Sequence, residues 1–276
     1  MGALLFPGQG SQLVGMGKDF YDNFDLVKKI FKSADETLDF KISKIILEGP
    51  AEELQLTKNT QPAILTVSFS IFKILKEEFA LDLNKFKFFA GHSLGEYSAL
   101  VCSESLKFTD AIYLLHERGK AMQNAVPEKE GLMIAVLGLK INEVNEFINN
   151  QNKKNGVCEI ANDNAEGQII ISGNKDSVAI LQSELKENKI KTIPLKVSAP
   201  FHCSLMTPAA EIMKEKIKNT KFMKPCHQII NNVTAEEISE PEKIKDLLVE
   251  QIYSTVRWRE SLVNISKKGV KNFVEI

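Results

Sequence analysis

Apolar positions in this chain fall into short runs and helical stripes that alternate along its length. Ala3 to Phe6 is a run of buried-strand length, ending in the loop Pro7-Gly8-Gln9-Gly10-Ser11-Gln12, and Phe86 to Ala90 is a second run of the same kind. Residues from Tyr21 to Leu56 read as short helices joined by polar turns, broken at Gly49-Pro50. Thr60-Gln61-Pro62 opens a longer helix, with proline placed in the first turn. Ile64, Leu65, Phe69, Ile71, Phe72 and Leu75 make that helix apolar nearly all round, which predicts burial. Thr109 is placed as the N-cap of a helix from Asp110 to about Ala125. Its apolar residues, Ala111, Leu114, Leu115, Met122 and Ala125, share one face with Arg118, and His116 falls on the other.

The texture changes between Glu130 and Leu195. Strand-like segments Leu132–Leu137, Val157–Ala161, Gln168–Ser172 and Ile190–Leu195 alternate with helices Ile141–Asn150 and Lys175–Asn188, the latter with Ile180, Leu181 and Leu185 on one side. That order, βαββαβ, is the split βαβ of ferredoxin-like domains. The chain then reads as helix Ala209–Asn219, strand Gln228–Asn231, helices Pro241–Tyr253 and Trp258–Lys267, and strand Asn272–Ile276. Mixed texture on both sides predicts an α/β fold: residues 1–127 and 197–276 form one doubly wound domain, and 128–196 are inserted into it. There is no internal repeat.

Composition narrows the function classes. The 276 residues are 43% hydrophobic, enough for a substantial core. Lys+Arg is 35 against 36 Asp+Glu, so net charge gives no pull toward nucleic acid or a membrane surface. Lys214, Lys216, Lys218, Lys221 and Lys224 cluster, as a solvated face or as a docking patch for an acidic partner. No apolar stretch approaches the ~20 residues that span a bilayer, and MGALLFPGQG lacks the basic start of a signal peptide. Cys102, Cys158, Cys203 and Cys226 form no C-x-x-C pair and no zinc-like group, so reduced thiols and a cytoplasmic location are expected. A monomer is expected as well.

The chemistry centres on Gly91-His92-Ser93-Leu94-Gly95, which follows an apolar run and precedes a helix-like segment. That is the order of a nucleophile elbow, where a serine stands on a tight strand-to-helix turn. The Leu94 and Gln9 N–H groups are candidates for an oxyanion hole; a phosphate-binding loop or an ordinary tight turn remains open for Gln9. A serine nucleophile needs a base. His92 adjoins the serine and points away, His116 is on a polar face, and His227 has no catalytic company; His202, on a loop bracketed by Pro200 and Pro208, is left. Arg118 in an apolar stripe needs an anionic partner, either an internal acid or a substrate carboxylate.

These same residues resemble the malonyl-CoA:acyl carrier protein transacylases. The likeness lies in Pro7 to Gln12, Gly91 to Tyr97, Arg118, Asn162 to Gly173, Ser198 to His202 and Gln251 to Trp258, in the family's order and over almost the whole chain. The resemblance implies a hydrolase-like core with a mostly parallel sheet and a ferredoxin-like insert. It implies Ser93 as nucleophile, His202 as base, Arg118 as clamp for the malonyl carboxylate, and the Gln9 and Leu94 amides as oxyanion hole. A backbone carbonyl near Gln251 would orient the histidine in place of a third acid. Phe201 and Asn162 are placed in the substrate site, with Phe201 narrowing the space beside the acyl α-carbon. No metal or redox cofactor is called for; the expected partners are malonyl-CoA and acyl carrier protein. The family continues with a Gly-Pro-Gly turn and a closing helix where this sequence stops at Ile276. Two other classes share features: a serine thioesterase, whose chemistry does not demand a buried arginine, and a non-catalytic carrier-protein-binding module, which would form no acyl adduct.

Overall fold

The computed structural model describes residues 1–127, 129–150 and 156–276; the insertion boundary placed at residue 128 lies outside the described residues. The first part of the chain holds β1 (Gly2–Phe6), the short helices α1 (Lys18–Asn23), α2 (Asp25–Leu38), α3 (Ile42–Glu48) and α4 (Ala51–Gln55), and the long α5 (Thr57–Glu77). Then come β2 (Phe86–Gly91), α6 (Gly95–Cys102) and α7 (Phe108–Asn124). The middle of the chain is β3 (Gly131–Leu137), α8 (Ile141–Asn150), β4 (Cys158–Ala165), β5 (Gln168–Asn174), α9 (Lys175–Glu187) and β6 (Lys191–Pro194). The last part is α10 (Thr207–Lys218), β7 (Gln228–Ile230), β8 (Glu237–Ile238), α11 (Pro241–Glu250), α12 (Trp258–Lys267) and β9 (Asn272–Glu275).

The larger sheet has the order β8-β7-β2-β1-β9 and is parallel except at β8. Its central strands are covered on both sides, and their near-continuous apolar runs follow from that. Leu4, Phe6 and Phe89 pack into the main core with α5, α6 and α7, while Ala3, Leu5, Phe88 and Ala90 meet Leu262 and Ile265 of α12. Pairing β1 with β2 brings Phe6 level with Gly91, so both strands end at the same edge.

The second sheet, β4-β5-β3-β6, is antiparallel throughout. Counted within this segment its strands lie in the order 2-3-1-4, the ferredoxin-like arrangement. Period-two alternation divides its side chains. Ile134, Val136, Ile169 and Ile171 pack against Val178, Leu181 and Leu185 of α9, whereas Met133, Ala135 and Ile170 turn toward the main core.

Several element ends differ from expectation for physical reasons. Helix α5 begins at Thr57, so Pro62 lies inside it rather than in its first turn. Proline has no N–H for the Lys58 carbonyl four residues back. His116 supplies the missing contact, its Nδ1 lying 2.9 Å from the Lys58 oxygen, so that residue faces α5 and not open solvent. Thr109 is not a cap; α7 starts at Phe108 after Lys107, with Phe108 stacked on Phe69 at 4.8 Å. On α9 Ile180 is 46% exposed, because the buried stripe runs Val178, Leu181, Leu185. Helix α11 stops at Glu250 rather than at Tyr253, and β8 is too short to leave a sequence signal. Among the described residues no helix is long and apolar enough to cross a membrane.

Candidate active site

Strand β2 ends at Gly91 and α6 opens at Gly95, with Ser93 on the turn between them. A Cβ on Gly91 would lie 1.9 Å from the Gly95 carbonyl carbon, and one on Gly95 would lie 2.4 Å from the Phe6 oxygen. Only glycine allows this approach. Ser93 itself is held at φ 53°, a left-handed backbone that costs a non-glycine residue about 1–2 kcal/mol. Three bonds hold it there: the Ser93 N–H donates to Asn232 Oδ1 at 2.7 Å, and the Ser93 carbonyl accepts from Gln251 Nε2 at 3.1 Å and from the Glu96 N–H at 3.0 Å.

His202 reaches the same point from the loop between β6 and α10. Its Nε2 lies 2.8 Å from Ser93 Oγ and its Nδ1 lies 2.8 Å from the Gln251 carbonyl. A carbonyl only accepts, so Nδ1 carries the proton and Nε2 presents its lone pair to the serine hydroxyl. Burial, reinforced by the nearby Arg118 charge, pushes the imidazole pKa down to about 3. The ring is therefore a neutral acceptor at physiological pH. The other histidines are engaged elsewhere: His92 Nε2 lies 2.9 Å from Asn164 Oδ1, and His227 stacks on Phe89 at 4.2 Å.

Arg118 is 1% exposed. It donates to Gln61 Oε1 and Gln251 Oε1, both at 2.8 Å, and to Ser93 Oγ at 3.2 Å. Its Nε–H is buried with no acceptor among the described residues. Burial pulls its pKa down, but a guanidinium remains charged in proteins. An internal carboxylate on this arginine, the alternative left open above, is absent among the described residues. The acid of the neighbouring helix, Glu96, instead accepts from Asn231 Nδ2, the Asn232 N–H and Gln251 Nε2 at 2.7, 3.1 and 2.8 Å. A buried cation with carboxamides for partners and one orphan donor is costly, and an incoming anion relieves that cost.

A cavity of about 260 Å³ opens onto these groups. Gln9, Leu94, Asn162 and Phe201 line it beside Ser93, Arg118 and His202, with Met133, Ala135 and Ile170 as an apolar wall. The Gln9 and Leu94 N–H groups carry no hydrogen bond among the described residues. Asn162 also approaches His92, Nδ2 to Nε2 at 3.4 Å. Thus Ser93, His202, Arg118, Gln9, Leu94, Gln251, Phe201 and Asn162 all converge. Gln251 contributes more than expected, since its side chain as well as its carbonyl is bonded into the site.

Sequence reasoning missed Asn232, Gln61 and Asn164, and left Glu96 without a role. For Asn231-Asn232 a signal existed: a polar pair immediately after a buried strand lies at the carboxyl edge of a parallel sheet, where α/β sites form. Gln61 offered none, being one of several polar residues near the start of its helix.

The chain matches the acyl transferase domain family over residues 3–276. It is 44% identical to the malonyl CoA-acyl carrier protein transacylase of Bacillus subtilis strain 168, over 99% of this chain and 86% of that protein. The chain belongs to the malonyl CoA-acyl carrier protein transacylase family. Solved structures of transacylases agree. An acyl-carrier-protein-S-malonyltransferase from Bartonella henselae superposes with a TM-score of 0.96 at 44% identity, covering 100% of this chain and 88% of that one. A malonyl-transacylase in complex with a type II PKS acyl-carrier protein superposes with a TM-score of 0.94 at 37% identity, covering 99% and 87%.

Proposed function

We propose that this acyltransferase moves a malonyl group from malonyl-CoA to the phosphopantetheine thiol of an acyl carrier protein, through a malonyl ester of Ser93, and so supplies fatty acid chain elongation. The observation that carries the reading is the buried, carboxylate-free guanidinium of Arg118, 3.2 Å from the hydroxyl that His202 is placed to deprotonate. The malonyl carboxylate would take the place of the missing counter-ion. His202 Nε2 accepts the Ser93 proton as Oγ attacks the thioester carbon. The Gln9 and Leu94 N–H groups receive the oxyanion. As the carbon–sulfur bond breaks, His202 returns the proton to the CoA thiolate. The carrier thiol then gives its proton to His202, attacks the ester, and Ser93 leaves with that proton. These side chains and amides carry every step without a metal or redox cofactor, and one copy of the chain supplies all of them.

Phe201, buried beside His202, leaves little room next to the acyl α-carbon and favours malonyl over its branched methyl analogue, a discrimination worth only about 1–3 kcal/mol. Intact-protein mass spectrometry after incubation with malonyl-CoA is expected to show one malonyl adduct on the peptide containing Ser93. An adduct of normal size and rate in Ser93→Ala would remove the serine from the mechanism. Free malonate released as fast as the acyl carrier is charged would make the chain a thioesterase.

A further inference from the structure

Among the described residues Glu96 is the one buried carboxylate bonded into the Gln251–Arg118 network, and the mechanism gives it no part. It is 1% exposed at the start of α6, three residues after the serine. Both of its oxygens are taken by N–H donors, and none of the three partners needs a proton from it. The Gln251 carboxamide lies between this anion and the arginine. Its Nε2 donates to Glu96, to the Ser93 carbonyl and, at 3.3 Å, to Asn232 Oδ1, while its Oε1 accepts from Arg118. An amide flipped by half a turn would point NH₂ at the guanidinium and oxygen at three acceptors, so the carboxylate helps to select one orientation. Meanwhile the backbone carbonyl of the same residue receives the His202 Nδ1 proton.

We propose that Glu96 is a positioning residue for the transfer: its carboxylate locks the Gln251 side chain, whose amide oxygen aims Arg118 at the acyl carboxylate. This rests on the reading of Arg118 as the clamp for the malonyl carboxylate. Charge-assisted bonds are about twice as strong as neutral ones, which suits an anion rather than an amide at this position. The charged and titratable groups facing Glu96 are Arg118 from α7 and the phenol of Tyr97 on its own helix, and that phenol stays neutral with its pKa pushed up to about 12. Burial, against the pull of its three N–H donors, raises the Glu96 pKa to about 7. A proton on Glu96 would meet only donors.

The test compares wild type with Glu96→Gln on malonyl-CoA and acetyl-CoA, reading kcat and KM for each with thermal melting as the check on folding. The expected result is a loss of about tenfold or more in malonyl kcat/KM, with acetyl transfer changed less than about twofold, because only malonyl uses the aimed arginine. Equal losses on both acyl groups would mean a purely structural carboxylate and overturn the proposal, as would no loss at all. Should Glu96→Gln fail to fold, the wild-type pH profile decides. The malonyl-to-acetyl ratio is expected to fall as pH drops through about 7, and a ratio flat between pH about 6 and 8 would overturn it. A wild type that forms no acyl-serine at all would refute the transacylase reading itself, a separate result.

Discussion

The two sheets of this protein contribute to one cavity in opposite ways. The parallel sheet works with its end: Ser93 stands just past β2, Asn232 just past β7, and the Gln9 loop just past β1. The antiparallel sheet works with its face: Met133, Ala135 and Ile170 project from strand middles to form a wall. Strand ends carry freed backbone and special φ values, which suits a nucleophile and an oxyanion site. A sheet face carries a fixed alternation of side chains, which suits a boundary of set shape. Chemistry and shape are thus assigned to different physical features, and a substitution in one region should not imitate a substitution in the other.

The largest effect is expected at the base that meets Ser93 at the edge of the parallel sheet. His202→Ala removes the acceptor for the Ser93 proton and should slow acylation by about 10²–10⁴-fold for malonyl and acetyl alike, read as single-turnover adduct formation. Its stability signature runs with pH. His202 ionises near 6.5 when unfolded and near 3 when folded, so the stability it contributes is present above 6.5 and is lost as pH falls toward 3. Glu96 has the opposite sign, its contribution being present below 4.5 and lost as pH rises through about 7. Thermal melting of His202→Ala should therefore gain on wild type as pH drops from 8 to about 5. A constant difference in melting temperature across that range would show that the ring is not held neutral.

Arg118→Ala comes next and separates the acyl groups. Truncating one partner of a buried charge pair costs about 2–5 kcal/mol, so malonyl transfer should fall by about thirtyfold to a few thousandfold while acetyl transfer persists or rises. Equal loss on both would make the arginine structural.

These first two effects fall on residues that the sequence already singled out, and the reason is local. An elbow needs two glycines around a serine after an apolar strand, and a cation in an apolar stripe is conspicuous at 3.6 residues per turn. The ferredoxin-like segment was legible for the same reason, since period two and period 3.6 alternate cleanly in it. What stayed hidden depends on contacts between segments far apart in the chain. Asn232 lies 139 positions from the Ser93 amide it accepts. The start of α5 was misplaced because the partner for the Lys58 carbonyl is His116, 58 positions away. The end of α11 likewise follows from the bonds of Gln251 across the site, which no helical periodicity records.

The face side is tested by two neighbours on β3. Ile134 points to the helices of its own subdomain and Ala135 to the cavity. Ile134→Ala should cost about 2–5 kcal/mol of stability and leave kcat/KM of the folded protein unchanged. Ala135→Leu should do the reverse, keeping the melting temperature within a few degrees and lowering malonyl kcat/KM about tenfold by filling the acyl space. If both substitutions acted on stability alone, the wall would have no part in catalysis.

The smallest effect concerns how the face is held over the end. The backbone of β4 meets the start of α12 in a short parallel bridge, the Asp163 N–H donating to the Val256 carbonyl at 3.0 Å and the Val256 N–H to the Ala161 carbonyl at 2.8 Å. Alternation then sends Asn162 and Asn164 toward His92 and the intervening Asp163 toward Arg259, whose Nε and Nη2 reach its carboxylate at 2.8–3.0 Å. Asp163 is buried and Arg259 is partly exposed, so the pair is worth more than a surface bridge and less than a sealed one. Asp163→Asn keeps the shape and removes the charge. It should cost about 1–2 kcal/mol in melting experiments and raise KM for malonyl-CoA a few-fold with kcat held, because the acyl wall loosens while Ser93, His202 and Arg118 stay in place. A fall in kcat with unchanged KM would mean that the clamp reaches the strand-end chemistry after all, and the division between end and face would have to be redrawn.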